Sequence, residues 1–224
     1  MTGHKGFQSG KEKVRKRLLR YAREAFRMLP QMDRPRILDI GCGAGIPTLE
    51  LARLSQGEII AIDIDQPALD IFARKIEEAG LTHRVQAINC SMFDMDFPDE
   101  SFDIIWCEGS IYPIGFEKGL REWKRFLKPG GHLVVHDEQG NISEKLGLVS
   151  GCGYELIGHF LLSQETWRRE YFAPLEKLVN EFETKLTDDP KTSEELHQAR
   201  EELDMFNKNP ERNSSAYFII KSRP

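Results

Sequence analysis

From Arg36 to Pro47 the chain reads RILDIGCGAGIP, a short apolar run that breaks into glycines at positions 41, 43 and 45 before a helix start. A mostly apolar, β-branched segment of that length reads as a buried strand. Running it directly into closely spaced glycines and then a helix makes a βα turn whose backbone N–H groups meet a ligand without Cβ obstruction. The spacing is G-x-G-x-G. A dinucleotide fingerprint needs G-x-G-x-x-G, and Ile46 stands at its last position, which weakens a nicotinamide or flavin reading. By itself the trio also fits a plain tight turn.

The same alternation continues along the chain. Strands are predicted at 36–40, 58–63, 85–89, 102–107 and 131–136. Helices are predicted from Pro47 to Ser55, after Pro67 with Leu69, Ile71, Phe72 and Ile76 up to Gly80, and from Phe116 to Leu127, where Lys128-Pro129-Gly130-Gly131 stops the run. Strands alternating with helices imply an α/β fold with a parallel sheet covered on both faces. An amphipathic helix over 11–29 carries Val14, Leu18, Ala22, Phe26 and Leu29 on one stripe. Towards the end, a strand is expected over Tyr154–Leu162. A helix near Pro174 should use Leu175, Leu178, Val179, Phe182 and Leu186 as its core face. Thr192 with Glu195 matches a capping box ahead of Leu196, Ala199, Leu203 and Phe206, and Ser215–Lys221 reads as a closing strand.

Composition narrows the function classes. Among 224 residues, 40% are hydrophobic and 30% charged, which excludes a disordered or collagen-like chain. No apolar stretch is long enough to span a membrane, and the polar start lacks a secretory apolar block, so a cytoplasmic protein is expected. Four cysteines without a C-x-x-C pair argue against a zinc ribbon or disulfide framework, and no metal site is expected. The net charge of −5 is uneven, because the first 30 residues hold nine bases against two acids. A basic arm of this kind fits a nucleic-acid or anionic-surface partner, and equally a solvated helix face.

Asp63 ends the second predicted strand, where an α/β sheet presents a carboxylate to ligand hydroxyls, and it could take both ribose hydroxyls as charge-assisted hydrogen bonds. ILDIGCGAG, AIDID, FPDESFDII and LKPGG with HLVVHD, in that order across residues 36–137, resemble the successive motifs of class I S-adenosylmethionine-dependent methyltransferases, and CEGSIYPIGFEKGLREW is similar to small-molecule types. The resemblance implies a Rossmann-like doubly wound sheet of seven strands, mostly parallel with a final antiparallel strand. It also implies one domain: a basic helical cap at 1–34, a cofactor-binding core at 35–140 and a C-terminal part at 141–224 with a helical insertion. S-adenosyl-L-methionine would be the methyl donor and S-adenosyl-L-homocysteine the product. Asp39 would support the methionine end, with Gly41, Cys42 and Gly43 contacting the cofactor through backbone. Asp63 would hold the ribose, with Ile64 against the adenine. Ser91 stands where many members carry an aspartate for the adenine amino group, with Met92 packing beside it. Main-chain carbonyls at Cys107 and Glu108 would receive the methionine ammonium.

On the acceptor side, His136, Glu108 and Tyr112 are the candidate catalytic groups at the strand ends. His136 is the one whose ordinary pKa makes it a base near neutrality, although a hydrogen-bonded structural histidine fits the same position. Glu108 could hold a cationic or hydroxylated acceptor, or cap a turn. Trp167, Tyr171 and Phe172 could wall a pocket or, with the 11–29 helix, form a lid, and they also fit core packing. The expected partner is a small-molecule methyl acceptor, with no membrane, and the chain a monomer or homodimer. An RNA or protein acceptor using the basic helix, a thiophilic acceptor held by Cys42, Cys90 and Cys107, and a nonenzymatic cofactor sensor are the rivals. Against an RNA acceptor, the turn Glu108-Gly109-Ser110-Ile111 lacks the Asn/Asp-Pro-Pro-Tyr/Phe of amino-methylating nucleic-acid enzymes.

Overall fold

A computed structural model describes residues 3–184, 190–209 and 213–223. The described residues fall into two compact units, one made of Tyr21–Leu161 with the segment from Ser215 onward, the other of the chain up to Arg20 with Leu162–Ser214. These dividing lines differ from the boundaries at 34 and 140 expected from the sequence. The larger unit is built as β1 (Arg36–Ile40), α3 (Ile46–Leu54), β2 (Glu58–Asp63), α4 (Gln66–Glu78), β3 (Val85–Asn89), β4 (Phe102–Glu108), α5 (Phe116–Trp123), β5 (Leu127–Glu138), α6 (Ile142–Gly151), β6 (Tyr154–Leu162) and β7 (Ser215–Ser222). Its seven strands are ordered β3-β2-β1-β4-β5-β7-β6, with parallel pairs through β5 and β7 antiparallel to β5. This is the expected α/β sheet with its antiparallel final strand.

One sheet face is the main core. Leu38, Ile40, Ile105, Cys107, Leu133, Val135, Phe218 and Ile220 pack there against Phe116, Leu120 and Trp123 of α5 and Val149 of α6. The opposite face meets α3, whose buried Thr48 hydroxyl donates to Asp39 at 2.6 Å. Helix α6 is absent from the sequence expectations, because its apolar residues give a weaker periodic signal than its Asn141 cap, whose side chain accepts from Glu144 N. The LKPGG stop is not a break between elements. Phe102 pairs with Leu127 and Ile104 with His132, so the Pro–Gly run bulges out within β5.

The smaller unit holds α1 (Gly3–Lys16), α7 (Gln164–Trp167), a π-helical turn at Arg168–Phe172, α8 (Ala173–Glu183) and α9 (Pro190–Lys208). Phe7, Val14, Tyr171, Leu175, Val179, Leu196, Ala199 and Leu203 form its core. Two expectations are corrected here, and one open choice falls to packing. The single helix over 11–29 is two, α1 and α2 (Leu19–Arg27), separated by a turn in which Arg17 N and Leu18 N bond three residues back. Thr192 is buried inside α9, not capping it, because the helix already starts at Pro190, a residue suited to a first turn. Trp167, Tyr171 and Phe172 contact one another edge-on or tilted, and Phe172 stacks on Phe206 at 3.7 Å, so their rings serve this unit's packing. Leu186 lies outside the described residues.

Candidate functional site

The glycine turn is held by its own hydrogen bonds. Ile62 O accepts from Gly41 N at 2.8 Å and from Cys42 N at 3.0 Å, while Gly43 N donates to Asp63 Oδ2 at 2.7 Å. Asp63 Oδ1 accepts from Asp65 N at 2.9 Å, and Asp65 in turn caps α4 by accepting from Ala68 N. Each of the three glycines has positive φ: 77° at Gly41, 50° at Gly43 and 74° at Gly45. Their surroundings differ. A Cβ on Gly41 would overlap Ser110 Oγ, and one on Gly45 would overlap the Phe72 ring, whereas a Cβ on Gly43 meets nothing within 4 Å. Gly41 and Gly45 thus serve packing, and Gly43 leaves an open approach to main chain beside a carboxylate.

The N–H groups at 41 to 43 are engaged by the protein, so contact with a ligand through these residues falls to carbonyls and to the free lone pairs of Asp63. Next to Asp63, Ile64 is 73% exposed. Asn89 Nδ2 braces this corner by donating to Ile64 O at 3.4 Å and Gln66 Oε1 at 3.0 Å. Ser91 Oγ accepts from Phe93 N at 3.2 Å, and Met92 packs on the main core.

A second group of side chains is assembled by register. Asp39 pairs with Trp106, Glu108 with His136, and His136 with Tyr217, and residues paired across a ladder share a face. Asp39, Trp106, Glu108, His136 and Tyr217 therefore project from one side of the sheet at the carboxyl ends of β1, β4 and β5. Asp39 is 2% exposed; burial foremost, with Glu108 and Asp63 adding, pushes its carboxyl up to about 7 against the opposing Thr48 hydrogen bond. Glu108 accepts from Trp106 Nε1 at 3.3 Å and from the Tyr217 hydroxyl, and burial pushes it up to about 7 as well.

His136 is buried, its Nε2 lies 2.7 Å from Ser215 Oγ, and its ring stacks on Tyr217 at 4.3 Å. Burial pushes its pKa down to about 3, so the ring stays neutral and resists taking a proton. Tyr112 is 77% exposed in the turn after β4. Cys42 and Cys107 are buried and burial raises both thiols, Cys107 up to about 12 with Ser110 Oγ at 3.2 Å, which leaves neutral thiols unsuited to a thiophilic acceptor. Among the described residues no cluster of His, Cys, Asp or Glu could hold a metal ion, and no helix is long and apolar enough to cross a membrane.

Sequence reasoning missed Thr48, Trp106, Ser110 and Tyr217. For Tyr217 a signal existed: alternation within SAYFIIK puts Ser215, Tyr217 and Ile219 on one face. Four of the basic N-terminal residues are engaged inside their own units. Arg17 and Arg20 pair with Glu170, Lys16 with Glu12, and Arg23 with Glu50 at 2.6 Å.

Residues 37–131 match a family described as a methyltransferase domain. Over 117 residues the chain is 32% identical to the ubiquinone/menaquinone biosynthesis C-methyltransferase UbiE of Vibrio parahaemolyticus, covering 51% of this chain and 45% of that protein. The chain spans less than half the length of the curated relatives it matches. Among solved structures, an S-adenosylmethionine-dependent methyltransferase from Thiobacillus denitrificans in complex with S-adenosyl-L-homocysteine superposes with a TM-score of 0.71 at 19% identity, covering 90% of each chain. The cyclase SpnF superposes at 0.74 with 22% identity, over 92% of this chain and 81% of that one. At such identities the structural likeness carries the fold, and the reaction has to be argued from the site.

Proposed function

We propose that the chain carries a class I S-adenosylmethionine-dependent methyltransferase domain, in keeping with the methyltransferase-domain match over residues 37–131, and that it transfers a methyl group to a small-molecule acceptor. One observation carries the reading: the Asp63 carboxylate at the end of β2 pins Gly43 N at 2.7 Å where the main chain has no neighbour on its open side. A ribose fits that pairing of acceptor oxygens and unobstructed backbone, and the exposed Ile64 offers an aliphatic surface for the adenine ring. Asp39 and the carbonyls around Gly41 suit the cationic methionine end. Cys107 has its side chain in the core, so only its main chain is available to that end. When bound, S-adenosyl-L-methionine supplies an electrophilic methyl group on a positively charged sulfur. The protein's own contribution is positioning of the acceptor, worth up to about 7–11 kcal/mol in well-oriented systems.

The small-molecule reading draws support from relatives such as UbiE, a ubiquinone/menaquinone biosynthesis C-methyltransferase, and from the internal pairing of Arg17, Arg20 and Arg23, which leaves fewer cations for phosphates. Calorimetry with S-adenosyl-L-homocysteine tests it. Asp63→Ala is expected to weaken binding by about 1.5–3 kcal/mol, the cost of losing hydrogen bonds to a charged group, and Asp63→Asn by less. Unchanged affinity in both variants overturns the ribose assignment, and absence of binding to the unaltered protein overturns the function.

A further inference from the structure

Resting on that reading, we propose that Glu108 takes the proton of the methyl acceptor, that Tyr217 is the positioning residue for its carboxylate, and that the acceptor is an amine arriving as an ammonium ion. The surroundings of Glu108 carry the argument. Its two hydrogen-bond donors, Trp106 Nε1 and the Tyr217 hydroxyl, are both neutral. Among the described residues the ion pairs go to other carboxylates, including Glu50, Asp103, Asp137 and Glu170, and none goes to Glu108. A half-buried carboxylate at a strand's carboxyl end with donors but no cation stands ready for a positive partner.

Tyr217 cannot swing away. Its ring lies between His136, stacked at 4.3 Å, and Phe160, stacked at 5.0 Å. Among the described residues, the register places on this face Asp39 from β1, Asp63 from β2, His132, His136 and Glu138 from β5, and Tyr217 and Lys221 from β7, with the His132–Lys221 pair four residues along the strands from the His136–Tyr217 pair. His136 is neutral and the Tyr217 phenol is held protonated by burial and by the neighbouring Glu108, so neither adds positive charge. Asp39 adds to the negative potential. An ammonium is drawn to such a place, while a carboxylate or phenolate acceptor is repelled.

The step balances. The N–H bond of the ammonium breaks as the O–H bond of Glu108 forms, freeing a nitrogen lone pair. That pair bonds to the methyl carbon as the C–S electron pair departs onto sulfur, leaving a neutral thioether and a methylated ammonium. With its carboxyl pushed up to about 7, Glu108 exchanges protons near neutrality, the range in which a general base works.

Glutamate-selective ¹³C-carboxyl labelling, assigned with Glu108→Gln, reads the group without turnover. The Glu108 signal is expected to titrate near pH 7, and Tyr217→Phe to move it upward, since a donor to the charged form is lost. A midpoint below about 5, near an ordinary glutamate, or an unmoved midpoint in Tyr217→Phe, overturns the proposal. Methyl-labelled S-adenosyl-L-methionine is then offered with alkylamines, arylamines, phenols and carboxylic acids. Labelling of an amine is expected, falling about 100-fold or more in Glu108→Gln. The rising limb of kcat/KM against pH should follow the carboxyl midpoint upward in Tyr217→Phe. No labelled amine, or Glu108→Gln turnover within about threefold of the unaltered protein, overturns this inference and leaves the methyltransferase reading standing. Failure to bind S-adenosyl-L-homocysteine removes both.

Discussion

Glu170 in the helical unit is buried and Glu108 in the sheet unit half-buried, and their surroundings treat them in opposite ways. Glu170 is ringed by Arg17 at 3.2 Å, Arg20 at 2.7 Å and Arg169 at 2.6 Å. Burial pulls its pKa upward, but the Arg169 hydrogen bond and the charges of Arg20 and Arg17 prevail and hold it below the usual range. Glu108 meets only neutral donors, and burial wins. Glu50, bonded to Arg23 and paired with Arg53, belongs with Glu170; Asp39, bonded to a threonine hydroxyl, belongs with Glu108. Where a carboxylate holds helices together, cations surround it. On the Asp39–Glu108 face of the sheet no cation among the described residues is supplied to either carboxylate, whereas Asp137, at the end of β5 on the other face, keeps Lys145 at 2.6 Å.

Four substitutions put that contrast to the test. The largest effect is expected for Glu170→Gln, which leaves three arginines around a neutral amide: loss of about 3 kcal/mol in urea unfolding of the helical unit, discounted from the upper values because the arginines are half-exposed. The sign follows from linkage. A depressed carboxylate stabilises above its unfolded pKa and loses that contribution as pH falls through the folded value, so the penalty should shrink in acid. Asp39→Asn is expected to act the other way. A raised carboxyl binds more protons folded than unfolded between its ordinary 3.8 and about 7, so its cost grows across that window. The variant should gain about 2–4 °C in Tm at pH 8, for each kcal/mol relieved in a chain of this size, and nothing at pH 4. Glu108→Gln should follow the same pH pattern with a smaller gain, because the side chain is only half-buried. The smallest effect belongs to Glu117→Ala, which removes the exposed pair with Arg121 at 2.8 Å and should change stability by under about 0.5 kcal/mol. A pH-independent Asp39→Asn, or a neutral Glu170→Gln, would erase the distinction between the two kinds of carboxylate.

Much of the sheet was legible because its signals are local. Periodicity located every strand, with β6 starting and ending at the expected residues and β4 and β7 differing by one residue. The apolar stripe of α9 was read correctly even though its capping box was not: Leu196, Ala199, Leu203 and Phe206 are all buried, while the start depended on a proline two residues earlier. The break between α1 and α2 was hidden, since an apolar stripe continues through it without a proline or glycine to mark the turn. At the site, the glycines and Asp63 were visible as candidates, but which glycine faces open space was not, because Ser110 and Phe72 reach the turn from other elements.

By itself, the sequence determined the βα alternation, the positive-φ turn after β1 and the carboxylate two elements later, all consequences of backbone preference and side-chain period over a few residues. Protonation at the candidate site depends instead on packing between distant segments. Burial and partners set the charge of Asp39, Glu108 and His136, and the partner that matters most, Tyr217, reaches Glu108 only because the last strand slots antiparallel against β5 in one register. Shifting that register by one residue would turn the phenol to the other face and leave the same sequence with a different site.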